Sequence, residues 1–395
     1  MGRHVVSIPA LLGGRPAFPD GIPLSRPPAP PLDRVVRRLA PSYDKGILTN
    51  GPLVAELERR SAERLGVRRV VGVASCTAGL MLALRVLELD GAVLAPSFTF
   101  SAGPHAVAWN GLPVAFAECD PQSFQLDCTD ASDRLEGAGA VMATHVFGAP
   151  CDAGAVEKLA AAAGVPAVFD AAHAFGALRG GRPVGGFGHA EVFSLSPTKP
   201  LTAAEGGLVA TGRDDLADAV RIGRDYGNPG DYDTRFVGLN ARMSELHAAV
   251  ALESLAELDE HIATRETLAR HYIDGLGTIP GVEPQHVDIG DRSTWKDLTV
   301  RVSAHDFGTG RDALVAALRA EGVDTRRYFD PPVHRQRAHA GAQPVNLPVT
   351  DDVAANVVSL PIYRDLDPGV VDRIVEVMAT VHAHADQITG AVSDE

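Results

Sequence analysis

The sequence predicts an α/β protein: a three-layer αβα sandwich around a mainly parallel, seven-stranded sheet, followed by a smaller α+β unit at the C-terminal end. Three observations carry this. Between about 30 and 245, short apolar runs alternate with segments of helical period, the pattern of βα units on a buried parallel sheet. One long helical stretch, Ser244 to Leu276, then leads out of that region. At 395 residues the chain exceeds one average core, which favours two unequal domains.

In chain order, residues 1–32 are rich in proline and glycine and read as an arm with little core of its own. The large domain is expected over 33–255. Its strand candidates are Val70–Val73, Val93–Ala95, Pro113–Ala117, Ala140–Thr144, Ala167–Phe169, Val192–Leu195 and Gly207–Ala210. Its helix candidates are Leu53–Leu65, Thr77–Leu89, Ala153–Ala163 and Asp214–Arg224. The small domain, 256–395, is expected to hold strands Leu298–Val302 and Val323–Arg327, with helices near Arg311–Glu321 and Val370–Ala385. No internal repeat or low-complexity tract interrupts the plan.

Composition excludes several functions. Apolar residues at 45% with 40 glycines and 28 prolines describe an ordinary globular mixture. A formal charge of −14 disfavours nucleic acid or an anionic membrane as partner, since both want a basic surface. Cys76, Cys119, Cys128 and Cys151 show no C-x-x-C spacing, so neither a metal site nor a disulfide framework is implied; reduced thiols in a cytoplasm are expected. The apolar run Val5–Leu12 is too short for a good signal peptide. Residues 92–117 lack Asp, Glu, Lys and Arg, yet three prolines, His105 and Asn110 make them a poor membrane span.

The chemistry concentrates at strand ends. Lys199 follows the apolar run 192–195, and Asp170 ends the run Val165–Asp170. An amine and a carboxylate there are costly to bury unless something pairs with both. Pyridoxal 5′-phosphate is such a partner: its aldehyde forms an imine with a lysine, and its protonated ring nitrogen takes an acidic neighbour. Between the strand at 70–73 and the next helix, Ala74-Ser-Cys-Thr-Ala-Gly79 is small enough for backbone N–H groups to approach a phosphate, with Thr77 adding a hydroxyl. Plain N-capping by Ser75 or Thr77 explains the same residues. Asp170 opens Asp-Ala-Ala-His173, in which His173 can orient the carboxylate or touch a cofactor ring; an N-cap and a core histidine are the alternatives. Phe98, Phe100 and Trp109 flank a strand end where an aromatic can stack on a ring or serve as core. Gly180 to Gly188 is glycine-rich without strand-turn-helix context and reads as a mobile loop.

In combination these features resemble the DegT/DnrJ/StrS sugar aminotransferases, which share the aspartate aminotransferase-like fold, PLP fold type I. The resemblance runs nearly end to end. It includes Leu48-Thr-Asn-Gly-Pro52, Ser75-Cys-Thr-Ala-Gly79, Pro96-Ser-Phe-Thr-Phe100, His145-Val-Phe-Gly148, Asp170-Ala-Ala-His173, Ser194-Leu-Ser-Pro-Thr-Lys199, Glu205-Gly-Gly207, Gly238-Leu-Asn-Ala-Arg242 and Ser359-Leu-Pro361. It implies that Lys199 is the imine lysine, that Asp170 holds the pyridinium, that His173 lies beside the ring and that Phe100 stacks on it. Cys76 through its backbone, Thr77 and Ser194 would bind the phosphate. Many relatives have Ser-Gly-Thr where this chain has Ser75-Cys76-Thr77. Asn240 and Arg242 match a segment that reaches the neighbouring subunit's phosphate, implying a homodimer with shared sites.

The resemblance further implies transfer of nitrogen from L-glutamate, through pyridoxamine 5′-phosphate, to a nucleotide-linked keto sugar. The N-terminal motifs and Trp295-Lys-Asp look most like relatives that aminate C4 of dTDP-4-keto-6-deoxyglucose. Candidate substrate contacts are Thr49, Lys296, Arg326, Arg327 and Tyr328, although each cation taken singly reads more readily as solvated surface. The rivals are a 3-keto sugar or cyclitol as acceptor, a sugar dehydratase with histidine in place of the lysine, and a non-catalytic PLP-binding regulator. Lys199 argues against the second, and Lys199 with Asp170 against the third.

Overall fold

The computed structural model describes residues 8–342 and 344–393. Part of the Val5–Leu12 run and the first residues of the expected arm lie outside the described residues, as do the last two of the expected small domain.

The chain opens with helices α1 (Leu32–Tyr43) and α2 (Pro52–Leu65) and then alternates strand and helix. The order is β1 (Arg69–Val73), α3 (Cys76–Val86), β2 (Ala92–Pro96), α4 (Ala102–Trp109), β3 (Val114–Ala117), α5 (Cys128–Ser132), β4 (Ala138–Thr144), α6 (Ala153–Ala163) and β5 (Ala167–Asp170). A hairpin of β6 (Leu178–Arg179) and β7 (Arg182–Pro183) precedes β8 (Ala190–Ser194), β9 (Gly207–Thr211) and α7 (Asp214–Gly223). Seven strands form one sheet in the order β1-β9-β8-β5-β4-β2-β3. β9 runs antiparallel to both neighbours, and the other pairs are parallel. This is the mainly parallel seven-stranded sheet, covered by helices on both faces, that the sequence predicts.

Why these runs become strands is visible in where alternate residues go. Phe169, Phe193 and Leu208 point into the core under α2 and α6, while Val168, Val192 and Val209 point into the core under α3 and α7. Both faces are covered, so the strands read as continuous apolar runs rather than alternating ones. Gly79 on α3 shows how closely the layers meet: a Cβ there would lie 2.7 Å from Val192 Cγ1.

Helix α8 (Glu245–Leu276), capped by the Ser244 hydroxyl accepting from the His247 N–H, spans two cores. Ala248 to Ile262 pack with the large sheet, and Leu268 to Leu276 with a second cluster. That cluster surrounds the antiparallel sheet of β10 (Val282–Pro284), β11 (Leu298–Val302) and β12 (Val357–Leu360), which is joined by α9 (Ala304–Phe307), α10 (Arg311–Ala320), α11 (Pro348–Asn356), α12 (Pro368–Ala383) and α13 (Ala385–Ser393). We propose an arm to residue 32, a large unit 33–255 and a small unit 256–395 as the domain plan. The described part of the arm packs on the small unit through Leu11, Phe18 and Ile22.

Three expectations are corrected. Val323–Arg327 is not a ladder strand: single bridges join Val323 to Ile22 and Arg326 to Ser359, and charged side chains on Asp324, Arg326 and Arg327 leave no apolar face to pair. Gly180–Gly188 opens as the turn of the β6–β7 hairpin, with Gly180 and Gly181 at φ +54° and +80° supplying the left-handed backbone the turn requires. The last expected helix divides at His384 into α12 and α13. Among the described residues no helix is long and apolar enough to cross a membrane.

Candidate active site

The C-terminal ends of β5 and β8, the turn from β1 into α3, and two segments of the small unit enclose a cavity of about 300 Å³. Open α/β sheets place ligands at this edge because strand ends and helix N-termini converge there. Cys76, Thr77, Phe100, Asp170, His173, Ser194, Lys199, Lys296 and Tyr328 all line it. Stretches as far apart in the chain as Ser75 and Phe329 thus meet around one volume.

Asp170 is 3% exposed. Its Oδ1 accepts from the Ala172 N–H at 3.0 Å, a turn closed by the side chain rather than the helix start that Asp-x-x-His suggested. The Cys76 thiol lies 3.9 Å from the same oxygen and 3.6 Å from Val192 O, so this side chain adds a contact to the backbone role expected of it. Oδ2 has no protein partner among the described residues. Burial pushes Asp170 upward, opposed by the Ala172 N–H and by Lys199. A carboxylate so placed calls for a cationic donor from the cavity.

Lys199 stands in the tight turn after β8, with its N–H donating to Ser196 O at 3.0 Å. Burial and the nearby Lys296 ammonium bring its amine down to about 8, against raising by Asp297, Cys76 and Asp170. An amine at about 8 holds a far larger uncharged fraction near neutral pH than an ordinary lysine and is mostly uncharged above pH 8, the form that attacks an aldehyde or takes a proton. Burial, Lys199 and Lys296 hold His173 well below the usual histidine range, so its ring is neutral. No hydrogen bond joins His173 to Asp170, and His173 Nδ1 is buried without a partner. Phe147 stacks on His173 with ring centroids 6.5 Å apart and planes 15° off parallel, and Phe329 stacks on Phe147 at 5.5 Å.

Ser75 caps α3, its hydroxyl accepting from the Ala78 N–H at 3.1 Å, which leaves the N–H groups around Cys76 and Thr77 at the cavity edge. Gly207 is what lets this turn lie so close: a Cβ there would be 2.6 Å from the Ser75 carbonyl carbon.

The remaining expected residues lie elsewhere. Thr49 donates to Met243 O at 3.0 Å. Arg242 pairs with Asp225 at 3.2 Å, and Asn240 forms a backbone bridge with the same residue. Arg326 is held by Asp324 and Arg327 by Asp312, both on a shallow surface groove. Sequence reasoning missed Asp297, Phe329 and the fully buried pair of His145 Nε2 and Glu191 Oε1, 3.0 Å apart directly behind Asp170. His145 stood in a quoted motif, but nothing local marked its partner. Among the described residues no group of three or more His, Cys, Asp or Glu is placed to hold a metal ion.

Residues 33–379 match the model of the DegT/DnrJ/EryC1/StrS aminotransferase family. The chain belongs to this family. A dTDP-3-amino-3,4,6-trideoxy-alpha-D-glucose transaminase of Streptomyces venezuelae is 33% identical over 88% of this chain and 92% of the relative. A dTDP-4-amino-4,6-dideoxy-D-glucose transaminase of Escherichia coli is 27% identical over 90% of this chain and 98% of its own length. Among solved structures, DesI in the presence of its TDP-sugar product superposes with a TM-score of 0.93 at 35% identity, covering 98% of this chain and all of that one. The protein is a sugar aminotransferase, and its cofactor is pyridoxal 5′-phosphate. The cavity fits that group: a buried carboxylate with one free oxygen, a lysine whose amine is brought down to about 8 and a small-residue turn at a helix N-terminus are the partners that its ring nitrogen, aldehyde and phosphate require.

Proposed function

We propose that this protein moves the amino group of L-glutamate to C4 of dTDP-4-keto-6-deoxyglucose, giving dTDP-4-amino-4,6-dideoxyglucose for aminosugar and natural-product biosynthesis in the cytoplasm. The observation that carries the reading is the meeting of Lys199 and Asp170 on one cavity of about 300 Å³. Bound there, pyridoxal 5′-phosphate supplies an electron sink for the carbon that loses its proton. Lys199 would hold the cofactor until the amino group of glutamate takes its place; its freed Nζ then takes the α-proton of glutamate, and in the return half-reaction it delivers a proton to the sugar carbon. Asp170 keeps the ring nitrogen charged. His173 stays neutral beside the ring, and Phe100 covers its other face. Cys76 by its backbone, Thr77 and Ser194 hold the phosphate.

Lys296 and Tyr328, at the cavity wall, are proposed substrate contacts. Arg326 and Arg327, just before Tyr328 in the chain, are proposed to meet the diphosphate from outside the cavity. Thr49, Asn240 and Arg242 lie away from this chain's own cavity, and we assign them to the site of a second copy in a homodimer. The E. coli relative supports C4 as the acceptor. The S. venezuelae 3-amino relative supports a second reading, amination at C3. Incubating the enzyme with glutamate and, in separate reactions, dTDP-4-keto-6-deoxyglucose or its 3-keto isomer, and locating the new C–N bond by NMR, decides between them. A 4-amino product is expected, and turnover of a 3-keto sugar alone refutes C4.

A further inference from the structure

We propose that Asp297 is a positioning residue for the transamination: it holds the Lys296 ammonium at the cavity wall and balances the field of this second lysine on Lys199. The proposal rests on the reading of Lys199 as the cofactor's amine. Lys296 Nζ lies 2.8 Å from Asp297 Oδ1, the two residues are 5% and 4% exposed, and both line the cavity together with Lys199. In such a pair, loss of one partner leaves an uncompensated charge inside the site.

The segment that carries the pair is held from three sides. Arg265 on α8, 2% exposed, donates to Trp295 O at 2.9 Å and to Lys296 O and Ile362 O at 3.2 Å. No carboxylate bonds this guanidinium among the described residues, so its hydrogen bonds go to holding backbone. Trp295 needs that hold, because its φ of +47° lies in a region costly for a bulky side chain. On the opposite flank Thr294 donates through its hydroxyl to His173 O at 2.6 Å and through its N–H to Gly148 O at 3.1 Å. Gly148, at φ +95°, permits this approach, since a Cβ would fall 2.1 Å from Thr294 Oγ1. The Lys296–Asp297 pair is therefore fixed to the same turn that follows Asp170.

The titratable groups that line the cavity with Lys199 are Asp170 at the end of β5, Cys76 on α3, His145 after β4 (bonded to Glu191), His173 in the turn after β5, Glu205 before β9, Tyr328, and the Lys296–Asp297 pair. Of these, Lys296 is the side chain whose charge opposes protonation of Lys199, and Asp297 is the acid bonded to it. A purely structural role for the pair makes no prediction of sign. The positioning role does.

The test follows the visible absorbance of the cofactor-loaded protein against pH for wild type, Asp297→Asn and Lys296→Met. Asp297→Asn leaves Lys296 unbalanced, so protonation at Lys199 nitrogen becomes harder and the midpoint falls. Lys296→Met leaves Asp297 unbalanced, and the midpoint rises. Each shift should be about half a pH unit or more, the acid limb of kcat/KM should move the same way, and the double variant should return toward wild type. Shifts of the same sign, or none, overturn the proposal. Should Asp297→Asn fail to fold, the direction given by Lys296→Met alone decides. A wild-type protein without a visible band refutes the reading of Lys199 instead, so the two failures are distinguishable.

Discussion

At the scale of residues, the reactivity of Lys199 follows from its surroundings. An ordinary lysine amine titrates at 10.5, whereas burial and Lys296 bring this one to about 8. Below that pH the ammonium cannot attack an aldehyde; above it the free amine can. With the cofactor removed, the rate of colour formation on adding pyridoxal 5′-phosphate should therefore climb through about pH 8 and level off, which stopped-flow absorbance measures directly. Lys199→Ala should give no such band. Lys199 and Asp170 were legible in the sequence because each ends a strand whose other residues are apolar, so a charge there demands a partner. Asp297 was not legible. It comes from the small unit, its neighbour Lys296 drew attention as a cation, and no local pattern reveals that the pair folds back onto the turn after Asp170.

At the scale of elements, the site depends on where backbones touch. Gly207 on β9 faces the turn into α3, and an added Cβ would meet the Ser75 carbonyl carbon at 2.6 Å and the Cys76 nitrogen at 2.7 Å. Backbone cannot yield as a flexible side chain can. Gly207→Ala should cost about 1–3 kcal/mol in stability and loosen the cofactor's phosphate, read as a lower urea midpoint and faster loss of the visible band on dialysis. Gly212→Ala, with nothing within 4 Å of the added atom, is the matching control and should leave cofactor retention unchanged. The sheet was legible because strands covered on both faces become plain apolar runs, and Ala153–Ala163 was legible to the residue because Asp152 and Gly164 cap it. Helix α4 was not: five of its eight residues are buried, leaving little polar face to reveal a period. Val323–Arg327 misled because its extended backbone meets its neighbours only at single residues, Val323 at Ile22 and Arg326 at Ser359 on β12.

At the scale of the molecule, one copy accounts for part of the expected site. Thr49, Asn240 and Arg242 are not among the residues that line the cavity, and the chain exposes Leu32, Val36, Tyr43, Ile47, Leu48 and Leu246 on and around α1 and the start of α8. An apolar surface of that kind is costly in water and is the expected signature of a subunit contact. Light scattering should give about twice the 41.4 kDa of the single chain. Arg242→Ala should weaken cofactor retention while Lys199 remains competent. Mixing that variant with Lys199→Ala should restore part of the activity, because a mixed dimer contains one intact site; no restoration would place Arg242 outside the chemistry.

The most direct measurement of the central claim is chemical. Reducing the cofactor-loaded enzyme with borohydride makes the covalent attachment permanent, and peptide mass spectrometry then locates it. The account predicts a pyridoxyl group on Lys199 and on no other lysine. A label on Lys296, the second lysine of the same cavity, or a wild-type protein that takes up no label, would contradict it.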